Sequence, residues 1–217
     1  GYKGIAKLTE GTDITLNAMI VPTAVNIYSK KLPFGAVKGD QKAFLTQLQS
    51  DLAASGINWI DLSEPFAACD KATQLYYRTD HHWTSDAALL AYQTYNKTLG
   101  LNDSTTYSKN ILSDSFKGTL SASSGLRTSE TDEIYAYLPD QVTDYTVNLT
   151  AENTKSASVF DVQSLSTKSQ YNVFFGGNHP EVVIDSASES KKVLMVFKDS
   201  YANCFVPFLI SDYARII

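Results

Sequence analysis

A strand, a helix and a second strand follow one another within the first 62 residues, and this order constrains the fold more than any other feature. Asn17-Ala18-Met19-Ile20-Val21-Pro22-Thr23-Ala24 is a short, mostly apolar run closed by proline, which predicts a buried strand feeding a loop. Asp40 then precedes Phe44, Leu45, Leu48 and Leu52 at three- and four-residue spacing, and Gly56 provides the stop signal of a helix. Ile57-Asn58-Trp59-Ile60-Asp61-Leu62 predicts the next strand. Two strands joined through a helix are the grammar of a parallel sheet. Near the other end, Lys192-Val193-Leu194-Met195-Val196-Phe197 predicts a second fully buried strand.

Between them the character changes. A short helix is expected over Glu64 to Lys71, starting at Pro65, and another from Thr84 or Ser85 to about Leu99, with Ala87, Ala88, Leu90, Ala91 and Tyr95 inside and Gly100 as its stop. From about residue 101 to about 190 Ser, Thr, Asn and Asp dominate, broken by alternating pieces at Glu133 to Leu138, Tyr145 to Leu149 and Tyr171 to Phe175. This stretch predicts a polar, β-rich insertion in a single domain spanning residues 1–217. Asn96, Asn102 and Asn148 head Asn-x-Ser/Thr triplets, which carry no weight in a chain this rich in Ser and Thr.

A net charge of −5 without basic clusters argues against nucleic acid, because phosphate neutralisation needs grouped Lys and Arg. The same balance argues against a polybasic membrane surface. Cys69 and Cys204 fit no metal-ligand spacing, and the sequence leaves open whether they are free or paired. Sparse charge, abundant tyrosine and many uncharged polar residues suit a secreted or surface protein that meets sugars. No run reaches the roughly 18 apolar residues of a spanning helix. Gly1 is not an initiator Met and the chain stops within the apolar run Tyr213-Ala214-Arg215-Ile216-Ile217, so it reads as a fragment whose export or anchor sequence lies elsewhere.

Chemistry is concentrated in Tyr76-Tyr77-Arg78-Thr79-Asp80-His81-His82-Trp83-Thr84-Ser85-Asp86. Residues i and i+2 of an extended segment share a face, so Asp80 is expected beside His82, with Thr79 and His81 opposite and His81 and Trp83 as supports. That spacing lets a carboxylate orient an imidazole. The segment opens onto a helix N-terminus, which favours an ionised Asp80.

A second candidate follows the strand at Lys192 to Phe197. Lys198-Asp199-Ser200-Tyr201 enters the helical run Ala202 to Ile210, and a serine in such a turn exposes its hydroxyl beside backbone amides that can hold an oxyanion. The GxSxG elbow itself is absent. Phe174-Phe175-Gly176-Gly177-Asn178-His179-Pro180 supplies glycines for close backbone approach and an amide donor. Acyl transfer through serine needs a nucleophile, a base and a carboxylate to hold the base. Ser200, His82 and Asp80 are the candidates, with Asn178, Gly177 and Tyr201 as oxyanion and substrate-binding residues.

Asp80-His81-His82-Trp83, followed at distance by Lys198-Asp199-Ser200-Tyr201, resembles the DHHW protein family, relatives of the AlgX- and AlgJ-type alginate O-acetyltransferases with their D-x-H-W motif. The resemblance implies an SGNH-hydrolase-like fold, a three-layer α/β/α sandwich with a mainly parallel sheet, working outside the cytoplasmic membrane. Residue by residue it implies Asp80 as orienter, His82 as base and Ser200 as nucleophile, with no cofactor and no metal. It also implies a polysaccharide acceptor and a membrane-bound O-acyltransferase as acetyl supplier. Transferase and esterase share the acyl-enzyme, so that choice stays open. Two other readings compete: a non-catalytic polysaccharide-binding or assembly protein that keeps the fold, and a DHH phosphoesterase, which lacks its upstream D-x-D cluster here.

Overall fold

The computed structural model describes residues 1–101, 104–125 and 129–217, so the triplet at Asn102 lies outside the described residues. The chain divides into two compact units: Gly1–Asp70 with Thr94–Leu101, and Lys71–Gln93 with the described part of 102–217.

In the first unit, α1 (Tyr2–Thr9) leads to β1 (Asn17–Met19), α2 (Ala24–Ile27), α3 (Gln41–Ala53), β2 (Asn58–Ile60) and α4 (Ser63–Ala68). Asp40 starts α3 by accepting the Ala43 amide at 3.0 Å, which satisfies one of the amides a helix start leaves unpaired. Gly56, at φ +72°, turns the chain out of the helix, a conformation that costs glycine little. Leu45 and Leu52 are the buried residues of α3. β1 and β2 pair in parallel, with Asn17 opposite Asn58 and Met19 opposite Ile60. The strand expected in the apolar run Asn17 to Ala24 is therefore shorter, and Ile20 is exposed.

α5 (Ser85–Leu99) is shared by the two units. The Thr84 hydroxyl and carbonyl accept the Ala87 and Ala88 amides at its start. Ala87, Ala88, Ala91 and Tyr92 are fully buried. Asn96 is buried as well, so its triplet is no surface acceptor in this fold.

The second unit holds β3 (Tyr107–Phe116), α6 (Thr119–Ser123), β4 (Asp132–Pro139), β5 (Tyr145–Leu149), β6 (Thr154–Ser156), β7 (Val182–Ser186), β8 (Val193–Leu194) and β9 (Arg215–Ile216). β3 and β4 form an antiparallel pair. The other strands form one sheet in the order β6-β5-β7-β9-β8. The start of α5 is tied to β4 through Asp86, whose carboxylate accepts the Tyr135 and Tyr137 hydroxyls at 2.5 Å each. Trp83, Tyr92, Phe116, Ile134, Val147, Ile184 and Leu209 are almost wholly buried in this unit, and each such side chain contributes about 1.5–3 kcal/mol.

A mainly parallel sheet is not what the strand pairs form. β1–β2 and β8–β9 are parallel, whereas β3–β4, β5–β6, β5–β7 and β7–β9 are antiparallel. The reason is connection length. Parallel neighbours need a long crossover, which α3 supplies in one case and residues 195–214 in the other, while β5 and β6 are joined by a turn at residues 150–153.

Lys192 to Phe197 is not a fully buried strand either. Leu194 and Ile217 share a backbone hydrogen bond, as do Ile217 and Val196, but Val193, Met195 and Phe197 alternate with them and are 62, 59 and 80% exposed. Tyr171 to Phe175 is no strand: Gln170–Val173 is a 3-10 turn, because Tyr171, Val173, Phe174 and Phe175 all bury their side chains instead of alternating. The helical run after Ser200 is two 3-10 turns, Ser200–Cys204 and Val206–Leu209. Pro207 lacks the amide a continuous α-helix would use there.

Candidate functional site

The site is built within the second unit from a tight loop, a short helix and a 3-10 turn. Tyr76 bridges Trp83, and the Tyr77 amide reaches the His82 carbonyl at 3.2 Å, so residues 77–82 form a closed loop, not an extended segment. Asp80 and His82 still meet. His82 Nδ1 lies 2.5 Å from Asp80 Oδ1, and His82 Nε2 lies 2.8 Å from Ser200 Oγ. His81, expected on the opposite face, instead packs against the His82 ring, with centroids 3.9 Å apart and the planes tilted by 37°. Tyr171 covers the other face of that ring at 3.8 Å and 10°. The imidazole is thus held edge-on by hydrogen bonds and face-on by two rings. Trp83, fully buried, anchors the loop to the serine turn by donating Nε1–H to the Tyr201 carbonyl at 2.7 Å.

Asp80 is 3% exposed and uses both oxygens. Oδ1 also accepts the His82 amide at 2.9 Å, and Oδ2 accepts the amide and hydroxyl of Thr119 at 2.8 and 3.0 Å. Burial alone would raise its pKa. The hydrogen bonds from His82 and Thr119 and the charge of His82 outweigh that and hold the carboxyl well below the ordinary range. Asp132, also buried, holds the loop from behind, accepting the Arg78 amide and, at 2.7 Å each, the Thr79 amide, the Thr79 hydroxyl and the Gln74 side chain.

A pH prediction follows from the depressed carboxyl. A group with a lowered folded-state pKa contributes stability that is complete above its unfolded value, about 4, and lost as pH falls through the folded value. Urea unfolding of wild type and Asp80→Asn is expected to show a stability gap at about pH 6 that narrows steadily by about pH 3. A gap independent of pH would show that the carboxyl is not held ionised.

Ser200 opens its turn with Asp199 as cap, whose carboxylate accepts the Tyr201 amide at 3.0 Å. The Ser200 carbonyl accepts the Tyr171 hydroxyl at 3.2 Å. Asn178 is brought to this turn by a directed chain. Lys198 can only donate, and its Nζ bonds Asn203 Oδ1 at 2.5 Å; Asn203 Nδ2 therefore donates to Asn178 Oδ1 at 3.1 Å. This fixes Asn178 Oδ1 as the acceptor of that bond and leaves the Asn178 NH₂ as the end of the amide that can donate elsewhere. Gly177, at φ +114°, already donates its amide to Phe174 and serves the turn's shape. Tyr201 spends its hydroxyl on the His81 carbonyl. Cys69 and Cys204 are both free, and burial pushes the Cys204 thiol up to about 12. Asp80, His81 and His82 could each bring one donor atom within 4.8 Å of the others, but a cation bound there would compete with the hydrogen bonds just described.

A sequence profile of the family described as SGNH hydrolase-like domain, acetyltransferase AlgX, matches residues 4–168. The chain belongs to that family. Among solved structures it is similar to a DHHW family protein from Eubacterium siraeum, with 25% identity over 99% of this chain and 72% of that one and a TM-score of 0.77. Bacillus cereus PatB1 gives 22% identity, 99 and 76% coverage and a TM-score of 0.76. The O-acetyltransferase domain of Pseudomonas putida AlgJ gives 20% identity, 64 and 54% coverage and a TM-score of 0.51. No curated protein sequence is a significant match. The family match ends before Ser200, whereas the first two structural similarities span nearly the whole chain.

Several residues of this AlgX-family site escaped the sequence reading. Gly118 and Thr119 cradle Asp80, Asp132 braces its loop, Tyr171 stacks on His82, and Lys198 and Asn203 hold the Asn178 oxygen. Nothing in Lys117-Gly118-Thr119 or Glu130 to Asp132 marks them locally, because their partners lie 38 to 58 positions away. Asn203 had a weak signal, an amide side chain set in an apolar run three residues after the candidate serine.

Proposed function

We propose that this protein is a serine-dependent O-acetyltransferase acting outside the cytoplasmic membrane on hydroxyls of a cell-surface or secreted polysaccharide. Acetylesterase activity is the same intermediate's reaction with water. The observation that carries the reading is the unbroken Asp80–His82–Ser200 line of hydrogen bonds, at distances suited to proton transfer. Membership of an acetyltransferase family supports it. Residues 101–190 are read as the insertion that brings Gly118 and Thr119 to Asp80.

In the first half-reaction His82 Nε2 takes the Ser200 proton as Oγ attacks the acetyl carbonyl. Asp80 keeps the proton of His82 on Nδ1 and offsets the imidazolium charge. The oxyanion is met by the Ser200 amide, which donates to no described residue, and by the Asn178 NH₂; such donors are each worth about 10²–10³ in rate. Collapse expels the donor alcohol with the proton from His82, leaving acetyl-Ser200. An acceptor hydroxyl then yields its proton to His82, attacks the acyl carbon and releases Ser200. The acceptor is a polysaccharide rather than nucleic acid, and the acetyl supplier is a membrane-bound O-acyltransferase. Among the described residues no helix is long and apolar enough to cross a membrane.

The test is incubation with an arylsulfonyl fluoride, with acetyl release from p-nitrophenyl acetate read in parallel; a PatB1 structure carrying a sulfonyl adduct is among the similar folds. Loss of release together with one adduct on the peptide containing Ser200 is expected. An adduct elsewhere, or no release by the untreated protein, would favour a non-catalytic polysaccharide-binding protein.

A further inference from the structure

His81 occupies the variable position of the D-x-H-W motif, yet its side chain is built into the site. Its Nδ1 lies 2.7 Å from Thr119 Oγ1, and Thr119 Oγ1 lies 3.0 Å from Asp80 Oδ2. Proton counting fixes the direction of this chain. The Asp80 carboxylate is ionised and can only accept, so the single Thr119 proton goes to it. The Thr119 oxygen must then accept from His81, which places a proton on His81 Nδ1.

Both histidine rings therefore turn Nδ1 toward the same carboxylate: His82 Nδ1 at 2.5 Å and His81 Nδ1 at 3.8 Å from Oδ1. The ring centroids are 3.9 Å apart, with 37° between the planes. Their Nε2 atoms lie on the edges away from Asp80. His82 spends its Nε2 on Ser200. His81 Nε2 has no partner among the described residues, and the side chain is 46% exposed. Burial, and then the charge of His82, hold the His81 imidazolium down against the opposing pull of Asp80 and Asp199, which leaves a neutral ring with an Nε2 lone pair.

We propose that His81 is the acceptor-positioning residue of this site: its Nε2, beside His82 and turned away from Asp80, accepts a hydrogen bond from the hydroxyl or water that deacylates Ser200. The inference rests on the reading of Ser200 as the acylated residue. It assigns the two histidines different tasks. His82 moves the proton in both half-reactions; His81, besides packing on the His82 ring, holds the second nucleophile in line, and that second task acts in deacylation. Neutral carbohydrate hydroxyls fit such a lone pair.

The experiment uses the whole chain, p-nitrophenyl acetate as donor, and water or glycerol as acceptor. His81→Asn keeps a donor for Thr119 and removes Nε2; His81→Gln restores an acceptor near the Nε2 position. Both variants remove the ring that packs on His82, so the burst of p-nitrophenol is expected to slow by a similar factor in both; beyond that shared loss, deacylation is expected to slow about tenfold or more in His81→Asn and to recover largely in His81→Gln. Burst and deacylation falling by the same factor in His81→Asn, or deacylation unchanged in it, would overturn the assignment while leaving the acyl-serine reading intact. No burst and no sulfonyl adduct in wild type would defeat the acyl-serine reading itself, and the role of His81 with it. A ¹⁵N histidine spectrum reads the tautomer without turnover: a proton on His81 Nδ1 is expected, and one on Nε2 alone would also overturn the assignment.

Discussion

Ser200→Ala is expected to lower acetyl release by roughly 10⁴-fold or more and to abolish the sulfonyl adduct, with the folded state unchanged. The hydroxyl bonds His82 Nε2, and the turn is held by other groups: the Asp199 cap, the Tyr171 hydroxyl on the Ser200 carbonyl and Trp83 on the Tyr201 carbonyl. Removing one oxygen therefore costs chemistry rather than architecture. His82→Ala is expected to reach the same floor, and the double variant to go no lower, because residues that act as a unit are non-additive. Full release by Ser200→Ala would move the chemistry elsewhere or leave the protein as a binder. Additive losses in the double variant would mean that Ser200 and His82 act separately.

The two halves of this site were legible to different degrees. Asp80 and His82 are two positions apart, so their pairing is a local property that any turn or extended segment preserves. Ser200 was legible through its setting, a serine at the exit of an apolar run. What a single sequence hides is the support that arrives from elsewhere. Asp132 reaches back 53 residues to Thr79, and Thr119 reaches back 39 to Asp80; neither pairing leaves a periodicity or a local pattern. His81 was misplaced for a related reason. The alternation rule holds for extended chain, and the loop closes on itself through the Tyr77 amide and His82 carbonyl instead.

The fold shows the same division. α3 and β2 were marked by local signals, the Asp40 cap, helical spacing and the Gly56 stop. Sheet direction was not, since it depends on which strands meet across distance. β7 and β9 pair antiparallel although 28 residues separate the end of one from the start of the other. Burial misled at Lys192 to Phe197, where an unbroken apolar run has one inner row, Leu194 and Val196, and one exposed row.

Gly118→Ala is the second substitution from which a large effect is expected, although the residue bears no functional group. A Cβ there would sit 2.2 Å from Asp80 Cβ, 2.3 Å from Oδ2 and 2.6 Å from Cγ, all far inside contact distance. Backbone strain is not the cause, because Gly118 has φ −87° and ψ −166°, which any residue adopts. The collision is with a short side chain buried on every side and fixed at both oxygens, so it has no rotamer to escape into. Either the Gly118–Thr119 turn withdraws, costing Asp80 the Thr119 amide and hydroxyl, or Asp80 shifts and takes His82 off the line to Ser200. Both routes displace the imidazole, and a misplacement of about 1 Å can cost about 10²-fold in rate. The expected result is a fall in acetyl release of about 10²-fold or more, by the same estimate, with a loss of stability of about 1–3 kcal/mol in urea unfolding. Thr119→Val separates the two routes: it removes the hydroxyl while leaving the amide and the backbone approach in place, so its loss should be clearly smaller than that of Gly118→Ala. Equal losses would assign the effect to the Thr119 hydroxyl, and an unimpaired Gly118→Ala would show that Asp80 does not depend on this close approach.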